Sequence, residues 1–430
     1  MKGMSKFQLF FVVGLVFCTL LGVALFAMTK SNSNQSAPQT VVWGTIPSSI
    51  ISPILSDANQ ANQKLVNVTY VQKNAATFEQ DLIENLARGT GPDGILITQG
   101  ILGTQKDKLV KIPYTSITER AYRDTFIQGS EVFMDSDGTW ALPLSVDPLV
   151  MYWNRDLFAA SGFPTIPKYW DEFFAYVPKL TIKDDNGNIK QSGVALGEFK
   201  NVDYAKDILS AIILQSGNPI TAYSNGRLVS VLAQTLNQTL SPTEEAVRFY
   251  TEFSNPTKDS YSWNRSLPRS RQAFIDGKLA IYFGYASEAG TIRQKNPNLN
   301  FDVSELPQIK GAKIPTSYGN FIGMAILKSS RNASALFTAY STLLDPQFVA
   351  SYVAGSNLPP IRRDMYTEMP TDAYRIIFYK SALIARSWVD PNPQKSDTIF
   401  ENMVEDVTSG KLRLSESVSN AERELNNLIQ

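Results

Sequence analysis

The chain has 430 residues, 43% of them hydrophobic and 19% charged, the composition of a folded globular protein with room for two domains. Its 40 Lys and Arg balance 40 Asp and Glu, so nothing marks a nucleic-acid surface or a strongly charged ligand. There is no histidine and the single cysteine is Cys18, which excludes disulfides, Cys/His zinc sites, Cys/His nucleophile pairs and Ser-His-Asp triads.

Phe7 to Met28 is an uncharged, largely apolar run, long enough for a bilayer that needs roughly 20 residues. Lys2 and Lys6 precede it and only Lys30 follows closely, so the positive-inside rule puts the bulk of the chain outside. The run exceeds the roughly 7–15-residue apolar core of a signal peptide, and no small-x-small cleavage site follows. Phe17 stands before Cys18 where a lipobox wants Gly or Ala. The expectation is an uncleaved transmembrane anchor over 1–30, with cleavage as the rival reading, and a flexible polar tether over 31–40.

Val41–Trp43 opens the globular part as a short strand, with Gly44–Pro47 as the loop at its end. A helix over Ser52–Lys64, a β-branched strand over Asn67–Val71 and an amphipathic helix over Ala76–Ala87 follow, the last with Phe78, Leu82, Ile83 and Leu86 on one face. Gly89–Gly94 turns into the strand Ile95–Ile97, whose end carries Thr98 and Gln99. It is not a phosphate loop, because Lys-Ser/Thr is missing and it precedes a strand. This strand–helix alternation is a doubly wound α/β pattern. Ligands of such sheets bind outside the carboxyl ends of the strands, which nominates Trp43–Ile46 and Thr98–Gln99.

The stretch from Gly138 to Phe174 is the most informative. Asp135–Gly138 is a turn, and Thr139–Leu144 is extended, with Pro143 placing it at a sheet edge. After Pro148, Leu149–Trp153 reads as a strand covered on both faces. Asn154-Arg155-Asp156 opens a helix that Gly162 stops. Pro164 and Pro167 hold a linker, and Trp170–Phe174 starts the next helix. Thr181–Ile189 is a hairpin with an Asn-Gly turn; as a calcium loop it fails, since its Gly falls too early and the closing Glu is absent. Asp207–Gln215 is an apolar helix, and Pro242–Phe253 is another, capped by Ser241. Ser270–Glu288 reads as helix, turn, the strand Leu279–Phe283, and a Gly284-Tyr285 turn into a new helix. A strand at Asn320–Ile326, a helix at Asn332–Leu344, an exposed loop with an aromatic at Ala385–Pro391 and a helix pair over Val404–Leu428 complete the chain.

Gly138, Trp140, Leu142-Pro143, then Trp153-Asn154-Arg155-Asp156-Leu157-Phe158, Gly162-Phe163 and Tyr169-Trp170-Asp171-Glu172-Phe173 stand in the order and spacing of a known signature. It resembles that of the family 1 extracellular solute-binding proteins, the sugar-binding subunits of ABC importers, with Trp153 where Tyr is usual and Arg155 where Lys is commoner. Ser270–Glu288 resembles the family's second motif, with Tyr285 at the place of an aromatic that commonly stacks on the ligand. The likeness runs from Val41 to the end. It implies a two-lobed periplasmic-binding-protein type II fold, each lobe a doubly wound sheet, with one lobe from 41–146 and 320–346 and the other from 147–319 and 347–430. Crossings are expected near Ser145–Pro148, near Tyr318–Phe321 and near Asp345, with hinges that close the lobes on a solute.

The resemblance further implies a carbohydrate ligand, permease subunits as partners, a monomer, no cofactor, no metal and no catalysis. A pyranose offers one face of C–H groups to an aromatic plane and hydroxyls to short polar side chains. The candidate rings are Trp43, Trp153, Trp263, Tyr285, Phe321 and Trp388, and the candidate polar groups are Thr45, Gln99, Asp147, Asn320 and Arg386. Trp140, Trp153 and Trp170 are assigned to core. Asp147 reads equally as a hinge residue or a hydroxyl acceptor. Three alternatives stay open: the same fold with a peptide or polyamine, a surface sensor, and a glycan-active enzyme using two carboxylates such as Asp147 and Asp390.

Overall fold

The computed structural model describes residues 36–224, 226–235 and 241–429. The expected anchor, Cys18 and half of the tether lie outside the described residues. Among the described residues no helix is long and apolar enough to cross a membrane.

β1 (Thr40–Gly44) pairs in parallel with β2 (Val68–Gln72) and β3 (Gly94–Thr98), with helices Ser48–Ala61 and Phe78–Ala87 between them. The second helix buries Phe78 and Leu82. Ile83, expected on the same face, is exposed, because one further residue turns about 100° around a helix. β4 (Ile112–Pro113) and β5 (Gly138–Thr139) form a short ribbon. A Cβ on Gly138 would lie 2.4 Å from the Ile112 carbonyl, so glycine is required where the ribbon closes.

β6 (Leu142–Asn154) then carries the chain into a second set of strands: β7 (Ile182–Lys183), β8 (Ile189–Val194), β11 (Leu279–Tyr285) and β12 (Phe301–Ser304). β9 (Thr221–Ser224) and β10 (Arg227–Ser230) form a separate hairpin. β13 (Ser317–Ile326) returns to the first set, and the two-residue β14 (Ala385–Arg386) lies along its start. The strand order is β2-β1-β3-β13-β6-β11-β8-β7.

β6 runs unbroken through Pro143 and Pro148, although the prolines suggested two pieces with the first at a sheet edge. It is central instead, paired with β13 from Leu142 to Pro148 and with β11 from Leu149 to Trp153. Both prolines are accommodated where the ladder is irregular. Pro143 sits at the register shift between Ile322 and Gly323, and Pro148 sits where β6 exchanges partners, so neither missing N–H breaks a regular ladder.

Two hydrophobic cores flank this crossing. The first gathers Val42, Trp43, Ile95, Phe133, Phe321 and Tyr340; the second gathers Tyr152, Trp170, Phe173, Trp263, Phe274 and Trp388. Expectation and structure part after Asp345. Phe348, Tyr352 and Ile361 belong to the first core, with helix Pro346–Ser356 packed on Ser48–Ala61. The chain passes over at helix Ala373–Leu383, whose Phe378 enters the second core and Ala382 the first. An apolar helix face is compatible with either core, so sequence alone could not place it.

Candidate functional site

The two crossing strands set the floor of the site. Asn154 caps helix Arg155–Ala160 through its side-chain oxygen, which accepts the Asp156 and Leu157 N–H groups at 3.0 and 3.1 Å, and so fixes the far end of β6. At the other end of that segment Asp147 faces Asn320 of β13 in register. The Asp147 carboxylate accepts the Ser287 N–H at 3.1 Å. It is partly open to solvent but closely surrounded by protein. Desolvation therefore pushes its carboxyl up to about 7, opposed by the Ser287 hydrogen bond.

Tyr285 stands at the end of β11. Its hydroxyl donates to Asp207 Oδ2 at 2.9 Å, and its carbonyl accepts from the Tyr152 hydroxyl at 2.7 Å. Tyr204 packs its edge on the Tyr285 ring, centroids 4.8 Å apart at 79°. Tyr204 is left-handed, φ 61°, at the start of helix Ala205–Gln215, a conformation that costs a non-glycine residue about 1–3 kcal/mol. Its hydroxyl donates to Glu288 at 3.1 Å and accepts from Arg271 at 2.7 Å, while Arg271 also pairs with Glu288 at 2.6 Å. This network holds the strained residue and aims the helix that bears Asp207. Burial pushes the Asp207 carboxyl up to about 6, with Lys206 and the Tyr285 hydroxyl pulling the other way.

From the first lobe comes Gln99, the first residue of helix Gln99–Gln105. Its side-chain oxygen accepts the Phe321 N–H at 3.1 Å, fastening that helix to the crossing strand. Tyr318 is buried beside Gln99 and Asp207, close enough for both to act on its hydroxyl. Arg386, in register with Tyr318, donates to Gln128 Oε1 at 2.6 Å. Next to it the Ser387 hydroxyl is buried and close enough to act on the Tyr318 hydroxyl.

The structure thus brings Gln99, Asp147, Tyr285, Asn320 and Arg386 to one crossing. Trp43 and Thr45 lie at the end of β1, where the Lys73 ammonium covers the Trp43 ring at 3.7 Å from its centroid and Thr45 is half-buried. Trp43 is itself 6% exposed and part of the first core, and three further expected rings belong to the cores. Trp263 is 1% exposed, its indole N–H given to Asn201 at 3.1 Å, and Phe321 is fully buried in the first core. Trp388 is 4% exposed; its N–H donates to Ser210 at 3.1 Å and its ring stacks on Phe400. The loop that carries it is therefore not an exposed one. Asp390 is likewise committed, to Lys206 at 2.9 Å and Ser396 at 2.6 Å, and does not serve as a second acid beside Asp147. The reading by sequence missed Tyr204, Asp207, Tyr318 and Ser387. Only Asp207 left a signal, an acid in the first turn of an apolar helix.

Three kinds of comparison bear on this architecture. A family described as bacterial extracellular solute-binding protein matches residues 54–376. A binding protein of Brucella abortus is 20% identical over 357 residues, 80% of each chain. A galactooligosaccharide-binding protein of Bacillus subtilis is 26% identical over 221 residues, 49% of this chain and 47% of its own. Among solved structures, a cyclo/maltodextrin-binding protein complexed with maltotetraose superposes with TM-score 0.73 at 16% identity, covering 92% of this chain and 99% of that one. A cyclic alpha-maltosyl-1,6-maltose binding protein from Arthrobacter globiformis does so with TM-score 0.75 at 14% identity, covering 91% and 99%. At these identities the likeness establishes the two-lobed fold.

Proposed function

The chain belongs to the bacterial extracellular solute-binding proteins, and from that premise we propose that it captures an oligosaccharide at the crossing between its lobes and delivers it to the permease of an ABC importer. Family and fold are those of binding proteins. The observation that carries the carbohydrate reading is the grouping of Tyr285, Asp147, Asn320 and Asp207 around the two crossing strands. One ring and several short polar groups are what a pyranose asks for: a plane for its C–H face and acceptors and donors for its hydroxyls. The names of the relatives, which bind maltotetraose or galactooligosaccharides, point the same way.

Phe7–Met28 supports a membrane anchor that keeps the lobes at the outer face, working as a monomer beside its permease. A second reading, a polyamine, draws on the two cleft carboxylates, Asp147 and Asp207. Against it, Asp207 already accepts from Tyr285 and both carboxyls titrate upward, which reduces the negative charge a cation needs.

The deciding experiment follows the melting midpoint of the full chain against malto-, galacto-, manno- and xylo-oligosaccharides, with peptides and spermidine as controls. A ligand of the folded state alone must raise the midpoint. A rise with one glycan class, reduced in Asp147→Ala, supports the reading. A rise with spermidine and none with glycans replaces it by the polyamine.

A further inference from the structure

We infer that a pocket of about 720 Å³ between the lobes is a second carbohydrate subsite, one that takes a sugar unit bearing an anionic group. This rests on the carbohydrate reading above and adds a chemical class to it. The first lobe contributes Gly103 and Lys106; the second contributes Tyr223 and Arg227 of the β9–β10 hairpin, Pro391, and Asn426 of helix Leu414–Ile429. The volume falls within the range of small-molecule sites, about 300–1,000 Å³. The pocket adjoins the crossing through helix Gln99–Gln105, which starts at Gln99 and ends next to Lys106.

Among the described residues its walls carry two cations and no carboxylate. Lys106 donates to the Tyr223 hydroxyl at 3.2 Å. The acid it pairs with, Asp135 at 3.4 Å, is shared with Lys111 at 3.2 Å, so one carboxylate divides between two ammonium groups. Arg227 is exposed and has no ion-pair partner among the described residues. Its planar fork suits a carboxylate or phosphate held by two parallel hydrogen bonds. Asn426 spends its side-chain oxygen on the Ser230 N–H at 2.9 Å, which leaves its amide N–H groups as donors. Tyr223 is 45% exposed, and a ring of this kind can take a pyranose C–H face. A ring platform beside Arg227 and a Lys106 that shares its one acid with Lys111 favours an anionic sugar over a neutral one.

The walls come from both lobes and touch beside the pocket. A Cβ on Gly103 would lie 1.8 Å from the Asp390 carbonyl, so only glycine lets the lobes approach here. The subsite is therefore complete only with the lobes together.

The test titrates the full-length chain calorimetrically, in mild detergent, with trigalacturonate, phosphorylated maltotriose, and neutral galactotriose and maltotriose. At least one anionic glycan is expected to bind tenfold or more above its neutral counterpart. Its advantage should shrink with added salt and disappear in Arg227→Gln, while neutral binding stays unchanged. Tyr223→Ala should weaken the anionic glycan as well, and both variants sit on an exposed hairpin, so an unchanged melting midpoint confirms their folding. Neutral glycans binding as tightly as both anionic ones, or an anionic preference that survives Arg227→Gln, overturns the subsite and leaves the proposed function standing. Binding of no glycan at all overturns both.

Discussion

The Tyr285 hydroxyl hydrogen-bonds Asp207 at 2.9 Å, so a ring at the end of one strand and an acid on the first turn of a distant helix act as one unit. Tyr285→Phe keeps the ring and releases the acid; Tyr285→Ala removes both ring and donor. Glycan affinity should fall about 5-fold in the first, the scale of one hydrogen bond, and about 10- to 100-fold in the second, where ring contact is also lost. Titration calorimetry of the two variants separates the contributions. Equal losses would assign no role to the ring.

Asp147 makes apo stability depend on pH in a defined sense. Its carboxyl is raised from about 3.8 to about 7 in the folded chain, and Asp207 follows to about 6. Between the unfolded and folded values the folded state holds more protons than the unfolded one. Stability therefore falls as pH rises from about 4 to about 7, and flattens above. Asp147→Asn should reduce that slope. Urea unfolding at a series of pH values checks it, and a wild-type stability that rises across this window would contradict the buried-acid geometry.

Gly103 is predicted to set lobe approach. Gly103→Leu places a side chain where the Asp390 carbonyl stands, and Gly100 meets Pro393 in the same way, with 2.4 Å to a built Cβ. The variant should hold the lobes apart: a larger radius of gyration by small-angle scattering, and glycan affinity at least tenfold weaker. The cores are untouched, so the melting midpoint of the apo chain should move little.

The first three strands were legible because their signals are local. Alternation, the Gly-rich turns and β-branched runs lie within a few residues of the elements they specify. Asp147 was legible for a similar reason, standing beside Pro148 at the point where β6 changes partners. The state of Trp388 was not. What buries it is Ser210 and its helix, 178 residues away in sequence, and no local pattern reports such a cover. Tyr204 was hidden differently: its positive φ is held by Arg271 and Glu288, whereas sequence flags left-handed backbone only at Gly, Asn or Asp.

Trp388 and Lys206 supply the converse test, of residues that hold the second lobe and do not touch solute. Trp388→Ala should cost about 3–5 kcal/mol of stability, since it opens a cavity against Phe400 and orphans the Ser210 hydroxyl. Lys206 is buried and bonds Asp390, Ser396 and the Pro393 carbonyl. Lys206→Met leaves Asp390 charged and without its cation, a loss of about 3–5 kcal/mol. The double variant Lys206→Met with Asp390→Leu should recover much of it, because the unpaired charge is the larger part of that cost. Chemical denaturation measures all three. Where enough protein remains folded, glycan affinity per folded molecule should stay near wild type, opposite to Tyr285→Ala, whose affinity per folded molecule falls. A Trp388→Ala protein of normal stability that no longer binds glycan would return that ring to the site.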